Sequence, residues 1–91
     1  MSLSKYRGKT VVVVHPSCPA CRELKQELSS KGPLDDVVLL DVTKDEDAIA
    51  LARAFNIKYV PSFFSVNEEG GKTKVCMINP ITGDVEKCAY L

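Results

Sequence analysis

Thr10 to His15 is a short run dominated by four consecutive valines and closed by Pro16. β-Branched residues are stiff at χ1 and favour strands, and a run this short without alternation suits a strand buried on both faces. The residues that follow change period. From Pro19 to about Lys31, Cys21, Leu24 and Leu28 fall at i, i+3 and i+7, with Arg22, Glu23, Lys25, Gln26 and Glu27 around them. That is one apolar stripe of a helix. Pro19 suits its first turn, where a missing N–H costs nothing, and Gly32-Pro33 stops it.

The alternation repeats. Val37 to Val42 reads as a second apolar strand. Thr43 to Asp47 is rich in capping residues and in acids that favour a helix N-terminus. Ala48, Ile49, Leu51, Ala52 and Phe55 then form one broad apolar face, and Asn56 is a left-handed stop. A strand–helix–strand link of this length permits a parallel crossover. After Pro61 the pattern becomes strand, Ser62 to Val66, turn, Asn67 to Gly71, and strand, Lys72 to Ile78. Two readings stand for the tail. The Asn79-Pro80-Ile81-Thr82-Gly83 segment has hairpin-turn chemistry and would lead to a strand over Asp84 to Ala89. Val85, Cys88 and Ala89 also fit a short closing helix.

Ninety-one residues, 45% of them hydrophobic, suit one domain spanning 1–91. Twelve basic residues balance twelve acidic ones, so no net field favours nucleic acid or an anionic membrane. Lys5, Arg7 and Lys9 form the one basic cluster, expected to be a solvated segment. No apolar stretch approaches the ~20 residues that span a bilayer. The N-terminus lacks the apolar region of a signal peptide. The expectation is therefore a cytoplasmic protein.

Four cysteines remain. Cys18 and Cys21 form Cys-Pro-Ala-Cys at the start of the first helix. In a cytosolic chain such a pair reads as redox-active or metal-binding rather than as part of a disulfide framework. A helix N-terminus offers unpaired N–H groups to an anion, and disulfide exchange needs a thiolate. Cys18 is the candidate nucleophile and Cys21, one turn further in, the resolving thiol. Cys76 and Cys88 would face each other in the hairpin reading if the turn were an odd-length loop centred on Thr82, and would lie on opposite faces after a one-residue slip. A second disulfide and two small apolar core residues are both open.

Three features in order resemble the thioredoxin superfamily, its small glutaredoxin-like members in particular: the valine run leading into Cys18-Pro19-Ala20-Cys21, the Asp41 to Asp45 segment before the second helix, and Tyr59-Val60-Pro61 about forty residues after the cysteines. The resemblance implies a thioredoxin-like α/β fold in the order β-α-β-α-β-β. Its central mixed four-stranded sheet has flanking helices, with the usual final helix short or replaced by a hairpin strand. It implies a cis Val60–Pro61 bond facing the cysteines, with the Val60 backbone beside an extended substrate. Tyr59 next to that loop is a candidate substrate contact, with core or rim packing the alternative, and Pro19 is a further candidate contact. The implied activity is thiol–disulfide exchange with protein thiols and disulfides. No bound cofactor is expected, with glutathione or a thioredoxin reductase as electron donor, in a monomer or weak homodimer. His15 stands where glutaredoxins carry a lysine and is a candidate for proton transfer, with surface packing the alternative. Val12 stands where thioredoxins bury an acid, and the chain has no Trp. The rival readings are a thioredoxin-fold module that holds zinc or an iron–sulfur cluster, and an assembly module without redox turnover. Four cysteines with 2, 54 and 11 residues between them lack the paired knuckles of a zinc ribbon.

Overall fold

The structure, a computed structural model, describes residues 3–30 and 36–91. The Gly32-Pro33 stop lies outside the described residues. After a 3-10 turn at Ser4–Tyr6 come β1 (Thr10–Val14), α1 (Pro19–Ser30), β2 (Val37–Asp41) and α2 (Glu46–Phe55). Then follow β3 (Ser62–Glu69), β4 (Lys72–Ile78) and β5 (Val85–Tyr90). The strands form one mixed sheet in the order β2-β1-β3-β4-β5. β1 and β2 are parallel and every other pairing is antiparallel. The fold is α/β and consistent with a thioredoxin-like fold. The tail is a strand, so the sheet has five strands and β5 stands in place of a final helix.

β1 lies inside the sheet, and its four valines are all buried. Alternation divides them between two cores. Val11 and Val13 join Leu40, Ala48, Leu51, Phe55, Phe64, Val66 and Val75 on the α2 side. Val12 and Val14 pack with Cys21 on the α1 side, with Cys18, Leu24, Val60 and Phe63 around them. Each fully buried valine contributes about 1.5–3 kcal/mol relative to exposure. The second core is small, and the cysteine pair is built into it.

α2 ends at Asn56, whose φ of 51° and ψ of 53° are left-handed, as its side chain tolerates. The turn expected over Asn67 to Gly71 is shorter. Asn67, Glu68 and Glu69 continue β3, opposite Lys74, Thr73 and Lys72, leaving Gly70-Gly71 as a two-residue hairpin loop. Both glycines have positive φ, 60° and 79°, which the twist-compatible primed turn requires and other residues resist.

Lys5, Arg7 and Lys9 are exposed, as expected of a solvated cluster, but the segment that carries them is anchored. Leu3 is buried, the Lys5 ammonium lies 3.0 Å from the Asp47 carboxylate, and Arg7 pairs with Glu68 at 3.2 Å. Asp47 is the buried acid of α2's first turn, 7% exposed, and accepts a 2.7 Å bond from the Tyr6 hydroxyl. Burial alone would push its carboxyl up, but the bonds from Tyr6 and Lys5 outweigh it and hold the carboxyl below its ordinary value. A depressed carboxyl contributes stability above its unfolded pKa, near ~3.9, that is lost as pH falls through the folded value. Asp47→Asn should therefore lower the melting temperature at pH 7, with a cost of about 1–2 kcal/mol. The gap from the parent chain should close as pH falls below about 4. Melting curves of both chains at pH 7 and pH 3 test this, and an equal gap at both would contradict it.

Candidate active site

Cys18 precedes the first helical residue of α1, and its carbonyl accepts the Arg22 N–H at 3.2 Å, so it holds the N-cap position. The Cys18 N–H is tied back to the His15 carbonyl at 3.1 Å. Its sulfur does what a cap oxygen does elsewhere: Cys18 Sγ accepts the Cys21 N–H at 3.2 Å. The same thiol donates to the Val60 carbonyl at 3.6 Å, across 42 positions of sequence. The Val60–Pro61 bond is cis. The structure thus brings together Cys18, Cys21, Val60 and Pro61 at one end of the sheet.

The two sulfurs differ in setting. Cys18 is half-buried, whereas Cys21 is 1% exposed beneath Val12 and Val14. Burial pushes the Cys21 thiol up from its ordinary value and its hydrogen bond with Cys18 adds to the shift. The His15 backbone and the charge of Lys25 act in the opposite direction without reversing it. Pro19 opens α1 and is exposed beside Cys18.

His15, half-buried, stands at the turn before Cys18. Its Nδ1 accepts the Ser17 N–H at 3.0 Å, which makes Nδ1 the unprotonated nitrogen and shapes the turn that delivers Cys18. Tyr59 is 80% exposed, and its carbonyl accepts the Ser62 hydroxyl at 2.6 Å. Beside it opens a cavity of about 490 Å³, lined among others by Lys58, Tyr59, Pro61, Phe63, Glu86 and Lys87. Lys87 also donates to the Phe55 carbonyl at 2.6 Å, neutralising the C-terminal end of α2. The cavity residues beyond Tyr59 and Pro61 gave no sequence signal, because they meet only where the end of α2 approaches the β4–β5 hairpin.

Cys76 and Cys88 are bonded to each other. They pair directly across β4 and β5, although the loop is not the odd-length one that would align them. Asn79 donates to the Asp84 carbonyl, leaving a four-residue loop, Pro80 to Gly83. Ile78 then pairs with Val85, but Met77 pairs with Lys87, so Glu86 is an extra residue in a bulge. Without that bulge Cys76 would oppose Lys87, and Cys88 would point to the other face.

Among the described residues, no group of three or more His, Cys, Asp or Glu side chains could hold a metal ion. No helix among them is long and apolar enough to cross a membrane. The topology and the site together describe a protein of thioredoxin-like fold with a Cys-x-x-Cys pair at a helix N-terminus. No protein-family model matches the chain, and no curated protein matches it. Among solved structures, it is similar to a crystal structure of a mutant thioredoxin-like protein. The two are 24% identical, with 71% of this chain and 81% of that one covered and a TM-score of 0.47.

Proposed function

We propose that this protein is a thiol–disulfide oxidoreductase that exchanges disulfides with protein substrates through Cys18 and Cys21. One observation carries the reading. The half-buried Cys18 sulfur holds a helix N-cap position between the Cys21 N–H and the Val60 carbonyl, with the buried Cys21 thiol one turn behind it. Its asymmetry supports a division of labour. The Cys18 thiolate attacks one sulfur of a substrate disulfide, that bond breaks, and the substrate's other sulfur leaves as a thiolate that takes a proton. Cys21 then loses its proton and attacks Cys18 in the mixed disulfide. The reduced substrate departs, and a Cys18–Cys21 disulfide remains. The second step follows the first because Cys21 has no disulfide to attack until the mixed disulfide has formed. The substrate segment binds along Pro19 and the Tyr59-Val60-Pro61 loop, whose Val60 carbonyl meets the Cys18 thiol. Glutathione or a thioredoxin reductase returns the two electrons, and the setting is a cytoplasmic monomer or weak homodimer.

Equilibration in glutathione redox buffers, with alkylation and mass spectrometry on each cysteine, tests the proposal. Cys18 and Cys21 are expected to pair in one two-electron transition. Known couples of this chemistry lie between about −270 and about −120 mV, and the value sets the direction of electron flow. Absence of a Cys18–Cys21 disulfide at every poise would refute the exchange reading.

A further inference from the structure

The Cys76–Cys88 bond is a second sulfur couple that the exchange cycle does not use. Directly opposed residues of a ladder share a face, so the bond lies on the face of the sheet that α1 packs against, opposite Ser65. Ser65 in turn pairs with Thr10, at the end of β1 remote from Cys18. Electrons therefore do not pass directly between the two couples within one chain.

The two residues of this bond are unequally exposed. Cys76 is 6% exposed, whereas Cys88 is an exposed residue on the outermost strand. The strand it secures is an edge strand, held by its ladder to β4 and by few side-chain ties besides. Of β5's six residues five are exposed, and Ala89 alone is half-buried against the α2-side core. The ladder to β4 is interrupted by the bulge at Glu86. The strand's other side-chain ties to the body of the fold are Lys87 on the Phe55 carbonyl and the exposed Tyr90 hydroxyl, which donates to Glu69 at 3.4 Å. The same strand supplies Glu86 and Lys87 to the wall of the cavity beside Tyr59 and Pro61.

We propose that Cys76–Cys88 is a second redox site, entered at Cys88 by a thiol reductant, whose reduction frees β5 and opens the cavity beside the Tyr59–Pro61 loop. A thiolate of a reducing dithiol attacks Cys88 Sγ. The Cys76–Cys88 bond breaks, and Cys76 leaves as a thiolate and takes a proton. The donor's second thiolate attacks the mixed disulfide, Cys88 is released and protonated, and the donor departs as a disulfide. Two electrons and two protons have entered the protein. Release of the strand exposes the backbone edge of β4 and removes one wall of the cavity. The consequence for substrate access rests on the exchange reading of Cys18. The redox site and the strand release do not.

The test uses the full chain carrying Cys18→Ser and Cys21→Ser, so the other couple is silent. Hydrogen exchange is followed with and without a reducing dithiol, and alkylation mass spectrometry reports the state of Cys76 and Cys88. Under native conditions the bond should be reduced, and β5 amides should then exchange at least about tenfold faster while those of β1 and β3 keep their protection. A companion measurement exposes Cys76→Ser and Cys88→Ser chains to a small oxidised thiol. Cys88 should take up one adduct and Cys76 should take up little. A bond reducible only in denaturant, unchanged β5 protection after reduction, or preferential labelling of Cys76 would each overturn the proposal.

Discussion

Replacing Cys18 with serine should abolish exchange, lowering disulfide reduction by on the order of 10³-fold or more, because a hydroxyl at this position is neither a thiolate nor able to form the mixed disulfide. Replacing Cys21 should act differently. The buried resolving thiol is needed only after the first attack, so Cys21→Ser should form a mixed disulfide through Cys18 and then stall, leaving a trapped conjugate visible by mass. A mechanism shared by two groups is not divided additively between them, so the double variant should be no worse than Cys18→Ser alone. Insulin-type reduction assays with non-reducing gels distinguish these outcomes. Full activity in Cys18→Ser would end the exchange reading and favour the assembly role. Adduct formation at Cys21 in that variant would contradict its burial beneath Val12 and Val14.

The largest stability effect is expected at Phe64. It is fully buried, sits opposite Val11 of β1, and meets the ring of Phe55 from α2 at 5.0 Å between centroids and 58° between planes. That one side chain joins the second helix to the inner strands of the sheet. Phe64→Ala removes both the transferred apolar surface and the tilted ring contact, and leaves a cavity among neighbours already held by the sheet. The cost should be about 3–5 kcal/mol. For a chain of this size that is a large part of the stability, and the melting temperature should fall by on the order of 20 °C. Val85→Ala is the control. Val85 is 60% exposed, and its truncation should change stability by less than about 0.5 kcal/mol. Thermal melts of both variants decide this, and equal effects would mean that the hairpin, not the sheet interior, limits stability.

Local chemistry made much of the architecture legible. The valine run could become little except an inner strand. The Cys21-Leu24-Leu28 spacing could bury only one helical stripe, and the structure buries Cys21 and half-buries both leucines. Asn56 and the paired glycines carry backbone preferences that act within a few residues. The placement of Cys18 at a helix start likewise needed only the Pro19 signal and the periodicity behind it. The proximity of Val60 and Pro61 came from a resemblance rather than from any local preference, since 42 positions separate the Cys18 thiol from the carbonyl it meets.

What the tertiary structure alone decided is of another kind. Lys5 and Asp47 read separately as a solvated base and a helix-start acid. They become a buried-acid cluster only because the N-terminal turn folds onto α2. His15 accepts the Ser17 N–H at Nδ1, a contact that the sequence did not announce. The Cys76–Cys88 pairing shows the limit most clearly. Turn chemistry left a hairpin and a closing helix both open, and even within the hairpin strand side chains alternate with a period of two, so a single extra residue decides whether two cysteines meet or face apart. That residue, Glu86, carries no sequence mark of a bulge; the sheet selects it by pairing Met77 with Lys87 and Cys76 with Cys88. Conformational preferences that act over a few residues were written in the chain, whereas register and burial depend on which distant surfaces pack together.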